Sequence, residues 1–168
     1  MDAIKLTFCI FLLIFSGSCR EEQKAPELGG DSTMENEAKI SAREIKEELA
    51  SRGYQTFDYV DESSGDTIIM QQYFMAFLKS GPVKSANKKQ LDSLQALHLA
   101  HLGRMYKEGY ADISGPFGDD GEIRGITIYN TPSLKMADSL ANLDPMVKSG
   151  RLVIEIHPWW AAIGFPLR

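Results

Sequence analysis

The stretch that decides the fold is "TIIMQQYFMAFLKSG" (67–81), a run of β-forming residues that ends at Gly81–Pro82. A β-rich run closed by Gly-Pro predicts a strand followed by a break. Residues 87–109 have the apolar spacing of an amphipathic helix and close at Gly109. Two further strands are predicted after it, over 110–118, which runs into a Gly-Pro turn, and over 122–130. The chain from Thr67 therefore begins as β-α-β-β.

A second helix and a last strand complete the pattern. Residues 131–143 begin with Thr131 as a predicted N-cap and Pro132 in the first helical position. Residues 151–160 read as a final strand. The resulting order, βαββαβ, predicts an α+β fold of the ferredoxin-like type, an antiparallel sheet with two helices on one face. The sheet face without helices needs a cover, so we predict a homodimer of the dimeric α/β-barrel type.

Residues 1–18 are predicted to be a signal peptide. A short segment with one lysine precedes an apolar run from Leu6 to Phe15, too short for a membrane span of about 20 residues but suited to a signal. Small residues stand directly before Cys19, as in bacterial lipoprotein signals, where this cysteine is lipidated; ordinary secretion is the alternative. We therefore expect an exported lipoprotein of a bacterial envelope, held at the membrane by its lipid anchor only. Cys9 leaves with the signal, which excludes thiol chemistry.

Residues 19–66 are predicted to be an acidic tether that contains one short helix. Residues 20–66 hold 6 basic and 13 acidic residues, net −7, whereas residues 67–168 hold 11 and 9, net +2. Within the tether, Ser41 and Glu44 form a predicted capping box for a helix over 39–52 that Gly53 ends. The predicted folded domain is then 67–168. The total charge of −5 argues against nucleic acid as a partner.

The sequence has three histidines, and two of them, His98 and His101, lie on the predicted 87–109 helix. At about 100° per residue, His98 falls in the middle of the apolar stripe and His101 at its margin. A buried ring needs a hydrogen-bond partner, since leaving it unpaired costs about 1–3 kcal/mol. Asp144, at the end of the second helix before Pro145, is a candidate partner at one end of the sheet.

Other roles are open to the polar residues around this helix. His101 is expected to be a partly exposed helix residue. A metal site from His98 and His101 would need a third ligand, for which Asp144 is the obvious candidate, and we predict neither a metal nor a cofactor. In the segment 114–125, Ser114 can donate to a bound anion, and Arg124 can meet an acidic ligand. Gly115–Pro116 bends the chain and can leave backbone amides free for a ligand.

Several motifs in fixed order resemble the YCII-related (YciI-like) family of small proteins. The resemblance implies the dimeric ferredoxin-like fold and a proposed catalytic pair, a histidine on the first helix and an aspartate in a "DP" turn. Gly109, which ends the helix, lies eleven residues after His98, the family spacing; Asp144 is the matching aspartate. The matching motifs are "FLKSGP" (77–82), "HLAHL" (98–102), "SGPFGDDGEIRG" (114–125), "DPMVKSG" (144–150) and "EIHPWW" (155–160).

The leading hypothesis is a small-molecule enzyme in which His98 transfers protons and Asp144 orients its ring. Histidine titrates near neutrality, so such a pair suits an elimination, an isomerisation or a hydrolysis. The alternative is a non-catalytic module that binds a ligand in the same cleft or serves as a dimer scaffold. A structural histidine tied to a buried carboxylate is also open. The sequence does not identify the substrate.

Overall fold

The computed structural model describes residues 41–84 and 87–167. The predicted signal peptide and residues 19–40 of the predicted tether, including Cys19, lie outside these residues. Among the described residues, no helix is both long and apolar enough to cross a membrane. The elements are α1 (Ala42–Ser51), β1 (Thr56–Val60), β2 (Thr67–Ser80), α2 (Lys88–Lys107), β3 (Ala111–Pro116), β4 (Ile123–Tyr129), α3 (Leu134–Ala141), α4 (Pro145–Lys148) and β5 (Leu152–Ala162).

The sheet has five strands, and every pairing in it is antiparallel. The long strand β2 lies at its centre, with β5 along one side. Along the other side lie β1, which pairs with the first part of β2, and β4, which pairs with the last part and carries β3 at the edge. The four strands from β2 onward therefore follow the order β3-β4-β2-β5. This arrangement confirms the predicted α+β fold with its antiparallel sheet.

The hydrophobic core lies between the sheet and helices α2 and α3. Side chains alternate between the two faces of a strand, and on the second half of β2 the buried residues are Phe74, Ala76 and Leu78. Met105 of α2 packs in the same cluster. The other buried members of this cluster are Ala111, Tyr129, Ala137 and Ala141.

The sheet begins earlier in the chain than predicted, which corrects the boundary at Thr67. Residues 56–60, assigned to the tether, form β1 and pair with Thr67–Gln71 of β2. In this first half of β2 the buried residues are Ile69 and Gln71, whose side chains lie on the opposite face from Phe74. Helix α1 packs against this end of the sheet, where Ile45 and Ile69 line the same groove. β1 is too short, and its side chains are too exposed, for its sequence pattern to predict a strand.

Most predicted helix ends are confirmed, and two local predictions are wrong. Ser41 and Glu44 form the capping box of α1. The N-cap of α3 is Ser133, not Thr131, because the Ser133 side chain accepts from the backbone N–H of Met136. Gly115 and Pro116 do not form a turn, since both pair with β4 inside strand β3.

The second sheet face carries apolar side chains that α2 and α3 do not cover. Tyr73, Phe77 and Ile128 point to this face, as does Trp159, which packs against Tyr73 with 6.2 Å between ring centroids and is 39% exposed. This is the surface that the predicted homodimer would bury.

Candidate functional site

His98 and Asp144, the two residues predicted to form a pair, are in contact. The His98 Nδ1 atom lies 2.6 Å from the Asp144 Oδ2 atom, and the side chains are 12% and 3% exposed. His98 lies on α2, whose N-terminus is fixed by a capping box between Asn87 and Gln90. This short contact between a buried carboxylate and a partly accessible ring is the centre of the candidate site.

Asp144 is held in place by the start of a helix. It is the N-cap of α4, with Pro145 in the first turn, and its Oδ1 atom accepts a hydrogen bond from the backbone N–H of Met146 at 2.8 Å. The sequence prediction placed Asp144 at the end of the preceding helix; α3 in fact ends at Ala141. This backbone hydrogen bond fixes the direction of the carboxyl group, so that its Oδ2 atom faces the ring of His98.

The contact with Asp144 fixes the proton on the His98 ring. A carboxylate can only accept, so Nδ1 donates to it and carries the proton in the neutral ring. Nε2 then has a free lone pair. In the described part of the chain Nε2 has no hydrogen-bond partner, although it is not sealed from solvent. The geometry therefore leaves one basic nitrogen available to a ligand.

A cavity of about 530 Å³ lies against His98. We call it the His98 cleft. The four residues predicted to bind a ligand, Ser114, Gly115, Pro116 and Arg124, all line it together with His98. Asp144 is not among the lining residues and lies behind the ring. The other lining residues are Leu78, Ser80, Val83, Lys84, Gln95, Leu99, Leu102, Gly125, Ile126, Met146, Arg151 and Leu152.

The contacts of the predicted ligand-binding residues differ from one another. The Ser114 hydroxyl lies 3.0 Å from the Thr127 hydroxyl, so it is already hydrogen-bonded within the sheet. The Arg124 guanidinium donates one hydrogen bond, to the Gly121 carbonyl at 3.1 Å. An arginine has five N–H donors, which leaves several for a ligand. Of these residues, Arg124 has the greatest remaining capacity for binding.

Lys84 and Arg151 are lining residues that the sequence reasoning missed. They meet because Ser80, at the end of β2, pairs with Leu152, at the start of β5. This proximity could have been predicted from the sequence. Once β2 and β5 are taken as antiparallel neighbours, the segment that follows β2 must lie beside the segment that precedes β5.

His101 is buried, contrary to the expectation that it is partly exposed, and is only 5% accessible. Its Nδ1 atom accepts a hydrogen bond from Arg104 at 3.2 Å, so Nε2 carries the proton. That Nε2 atom is buried without a hydrogen-bond partner among the described residues. Within residues 41–84 and 87–167, no three His, Cys, Asp or Glu side chains are grouped to hold a metal ion.

Burial changes the proton affinity of two groups near Asp144. Burial lowers the pKa of His101, and the positive charges of Arg104 and Lys148 act in the same direction, whereas the negative charge of Asp144 opposes them. Burial also raises the pKa of Tyr129, with a further contribution from Asp144. Tyr129 therefore stays protonated and His101 stays neutral at ordinary pH.

Comparison with known proteins adds little to these observations. No protein-family profile matches the chain, and no curated protein matches it either. Among solved structures, it is similar to 5-chloro-2-hydroxyhydroquinone dehydrochlorinase from Burkholderia phenoliruptrix AC1100, determined in complex with 2,5-dihydroxybenzoquinone. The two are 21% identical over 52% of this chain and 92% of that one, with a TM-score of 0.40. At this level the similarity gives neither the reaction nor the substrate of this chain.

Proposed function

We propose that the protein is an enzyme that moves a proton on a small organic molecule bound in the His98 cleft. The observation that carries the proposal is the 2.6 Å contact between His98 Nδ1 and a carboxylate that is only 3% exposed, made by a ring that lines a cavity. In this role His98 is the general base and acid, and Asp144 orients it.

The proposed step follows from the positions of the protons. Nε2 takes a proton from the bound molecule, and the resulting imidazolium is stabilised by Asp144. In an isomerisation the imidazolium returns this proton to another atom of the same molecule, and in an elimination it gives the proton to the leaving group. In a hydrolysis Nε2 instead takes its proton from the attacking water and then passes it to the leaving group. A positioned histidine contributes typically 10²–10⁴-fold to such rates.

We also propose that the chain belongs to the YCII-related family. The support is the order of the motifs quoted above, together with the strand order β3-β4-β2-β5 and the placement of the "DP" aspartate against the helix histidine. The alternative, a ligand-binding or dimer-scaffold module without catalysis, would keep the same cleft, and the free Nε2 atom would at most accept a hydrogen bond from the ligand.

A proton-abstraction screen tests the proposed reaction class. The protein is incubated in D₂O with small ketones, lactones and hydroxyquinones, and deuterium incorporation or product formation is followed by NMR and mass spectrometry. We expect at least one compound to exchange or react with the wild-type protein, and that activity to be lost in His98→Ala.

The control for this screen is His157→Ala, which replaces a histidine that pairs with Glu155 on the surface, outside the His98 cleft. It should behave as the wild type. Activity that persists unchanged in His98→Ala would contradict the proposal. A binding module is indicated instead if ligands bind but none is turned over by the wild-type protein.

We further propose an exported, lipid-anchored homodimer. The anchor rests on the sequence around Cys19 alone, and the dimer on the uncovered apolar sheet face that includes Tyr73, Phe77 and Trp159. Mass spectrometry of the protein from a bacterial membrane should find an acylated Cys19. Light scattering should give twice the chain mass, and Trp159→Glu should reduce it to the monomer value. Unmodified Cys19, or a monomeric wild-type protein, would contradict the corresponding proposal.

A further inference from the structure

We propose that the ligand of the His98 cleft is a small organic anion, whose carboxylate or other oxyanion is bound by Arg124, Arg151 and Lys84. This inference rests on the proposed function only in taking the cleft as the place where the ligand lies. Its substrate class follows from the charges, contacts and walls of the cleft.

The charges that line the cleft all have one sign. Lys84, Arg124 and Arg151 are lining residues, and none of the described lining residues is an aspartate or a glutamate. Residues 67–168, which contain the cleft, carry a net charge of only +2, so the three cations are a local concentration of positive charge in a nearly neutral part of the chain. A cavity lined by charges of one sign and partly apolar walls attracts ligands of the opposite sign.

None of these three cations forms a salt bridge with any carboxylate in the described residues. Lys79, on the opposite face of β2, differs from these three residues. Its Nζ atom lies 3.3 Å from a carboxylate oxygen of Glu122 and 3.2 Å from one of Glu155. The charge of Lys79 is therefore already neutralised by the protein. The charges in the cleft are left to be neutralised by a ligand.

Arg151 is positioned by close backbone packing. Its Nη1 atom donates to the Lys84 carbonyl at 3.2 Å, which ties the two residues together. The backbone N–H of Gly81 donates to the Arg151 carbonyl at 2.7 Å. A Cβ atom on Gly81 would lie 2.2 Å from the Gly150 carbonyl oxygen, so only glycine allows the two segments to approach. The rim that carries Arg151 and Lys84 is therefore built into the fold.

The remaining walls of the cleft suit the hydrocarbon part of an organic acid. Leu78, Leu99, Leu102 and Met146 line it beside the His98 ring. A free inorganic anion would leave these side chains without contacts. An amphipathic ligand places its charged group on the cations and its carbon skeleton on the leucines, where a C–H bond can meet Nε2.

The test compares carboxylates with their uncharged amides on the full chain. Benzoate, cinnamate and cyclohexanecarboxylate are each titrated against the matching amide by calorimetry or NMR at low ionic strength. We expect at least one acid to bind ten-fold or more tightly than its amide. We also expect that preference to fall when salt is added, because exposed charges are screened.

Charge-removing variants locate the site. Arg124→Gln and Arg151→Gln should each reduce carboxylate affinity by five-fold or more, whereas Arg124→Lys and Arg151→Lys should retain most of it. The matched controls are Arg43→Gln, on the exposed face of α1, and Lys135→Gln, on α3, neither of which lines the cleft. Both controls should bind as the wild type. Thermal melting of each variant separates lost binding from lost folding.

The outcomes distinguish this inference from the proposed reaction. Equal affinity for acids and amides, no binding of any acid, or unchanged acid binding in folded Arg124→Gln and Arg151→Gln would each overturn the anion site. Phosphate that binds as tightly as the best carboxylate would contradict the inference that the ligand is an organic anion. His98→Ala should still bind carboxylates. If it does and the wild-type protein turns over none of the compounds tested, the anion site stands although the enzyme proposal fails.

Discussion

The two histidines of α2 lie three residues apart, yet the structure gives them opposite chemistry. His98 donates from Nδ1 to Asp144, and its Nε2 atom keeps a free lone pair beside a cavity. His101 accepts at Nδ1 from Arg104, so its Nε2 atom carries a proton and is buried without a partner among the described residues. One ring is ready to accept a proton, and the other is held neutral with no lone pair to offer.

The difference between these rings comes from their partners rather than from their burial. His101 is more buried than His98, and the negative charge of Asp144 acts on both rings. Burial alone therefore does not identify which histidine can act as a base. That residue is identified by a carboxylate bound to one ring nitrogen and a cavity beside the other.

The largest expected effect is on turnover in His98→Asn. This change keeps a polar side chain at the site but removes the titratable nitrogen. We expect the rate of any reaction found for the wild type to fall by about 10²–10⁴-fold, with the far-UV circular dichroism spectrum unchanged. A decrease of less than about three-fold in a folded variant would show that His98, like His101, does not take part in the reaction.

Asp144→Asn should produce the next largest effect, and it separates orientation from folding. The amide oxygen can still accept from the Met146 N–H and cap α4, while the NH₂ group faces His98 in place of the acceptor Oδ2. The ring must then turn its lone pair toward residue 144, which leaves a proton on Nε2.

For Asp144→Asn we expect a loss of rate of about 10²-fold or more with a stability loss of about 1–3 kcal/mol. Kinetics and urea unfolding measure the two. Full activity together with a large loss of stability would indicate that Asp144 serves the fold alone.

His101→Leu should have little effect on turnover and a small effect on stability. It removes a buried donor that has no partner among the described residues, which costs about 1–3 kcal/mol when unpaired, and fills the space with an apolar side chain. We expect the free energy of unfolding to be unchanged or about 1 kcal/mol higher, with the rate within two-fold. A large loss of rate would show that His101 takes part in the chemistry.

The smallest expected effect is an acid dependence of stability due to His101. Burial lowers its pKa in the folded protein, so the unfolded chain binds the proton more strongly. Its contribution is therefore complete above the unfolded pKa of about 6.5 and is lost as the pH falls from there toward the folded pKa.

Urea unfolding of wild type and His101→Leu at about pH 7.5 and about pH 5 measures this loss as the difference between the two proteins. The wild type should lose more stability on acidification. Equal losses in both proteins would contradict the assigned pKa direction.

The sequence contained most of the fold and the central pair. Apolar spacing, the Gly-Pro break and the helix caps predicted the strands and helices from Thr67 onward. The residues alone made Asp144 a candidate partner of His98, because helix geometry placed His98, not His101, in the middle of the apolar stripe. The pair itself was predicted from the resemblance to the YCII-related family. The helices and strands depend on local patterns that one chain displays directly, whereas the His98–Asp144 contact joins residues 46 apart.

The missing parts depend on tertiary contacts. β1 is short and its outer side chains are exposed, so its pattern is not that of a half-buried strand. His101 falls at the margin of an ideal apolar stripe, but the packing of α2 buries it with Met105. Lys84 and Arg151 are 67 residues apart, and only the pairing of β2 with β5 brings them to one cleft.

The most direct test is a long-range ¹H–¹⁵N NMR spectrum of the histidine ring nitrogens in the neutral state. His98 should carry its proton on Nδ1, with Nε2 unprotonated, and His101 should show the reverse. In Asp144→Asn the His98 pattern should switch to a protonated Nε2 while that of His101 stays the same. A wild-type His98 that carries its proton on Nε2 would contradict the claim that Asp144 prepares this ring to accept a proton.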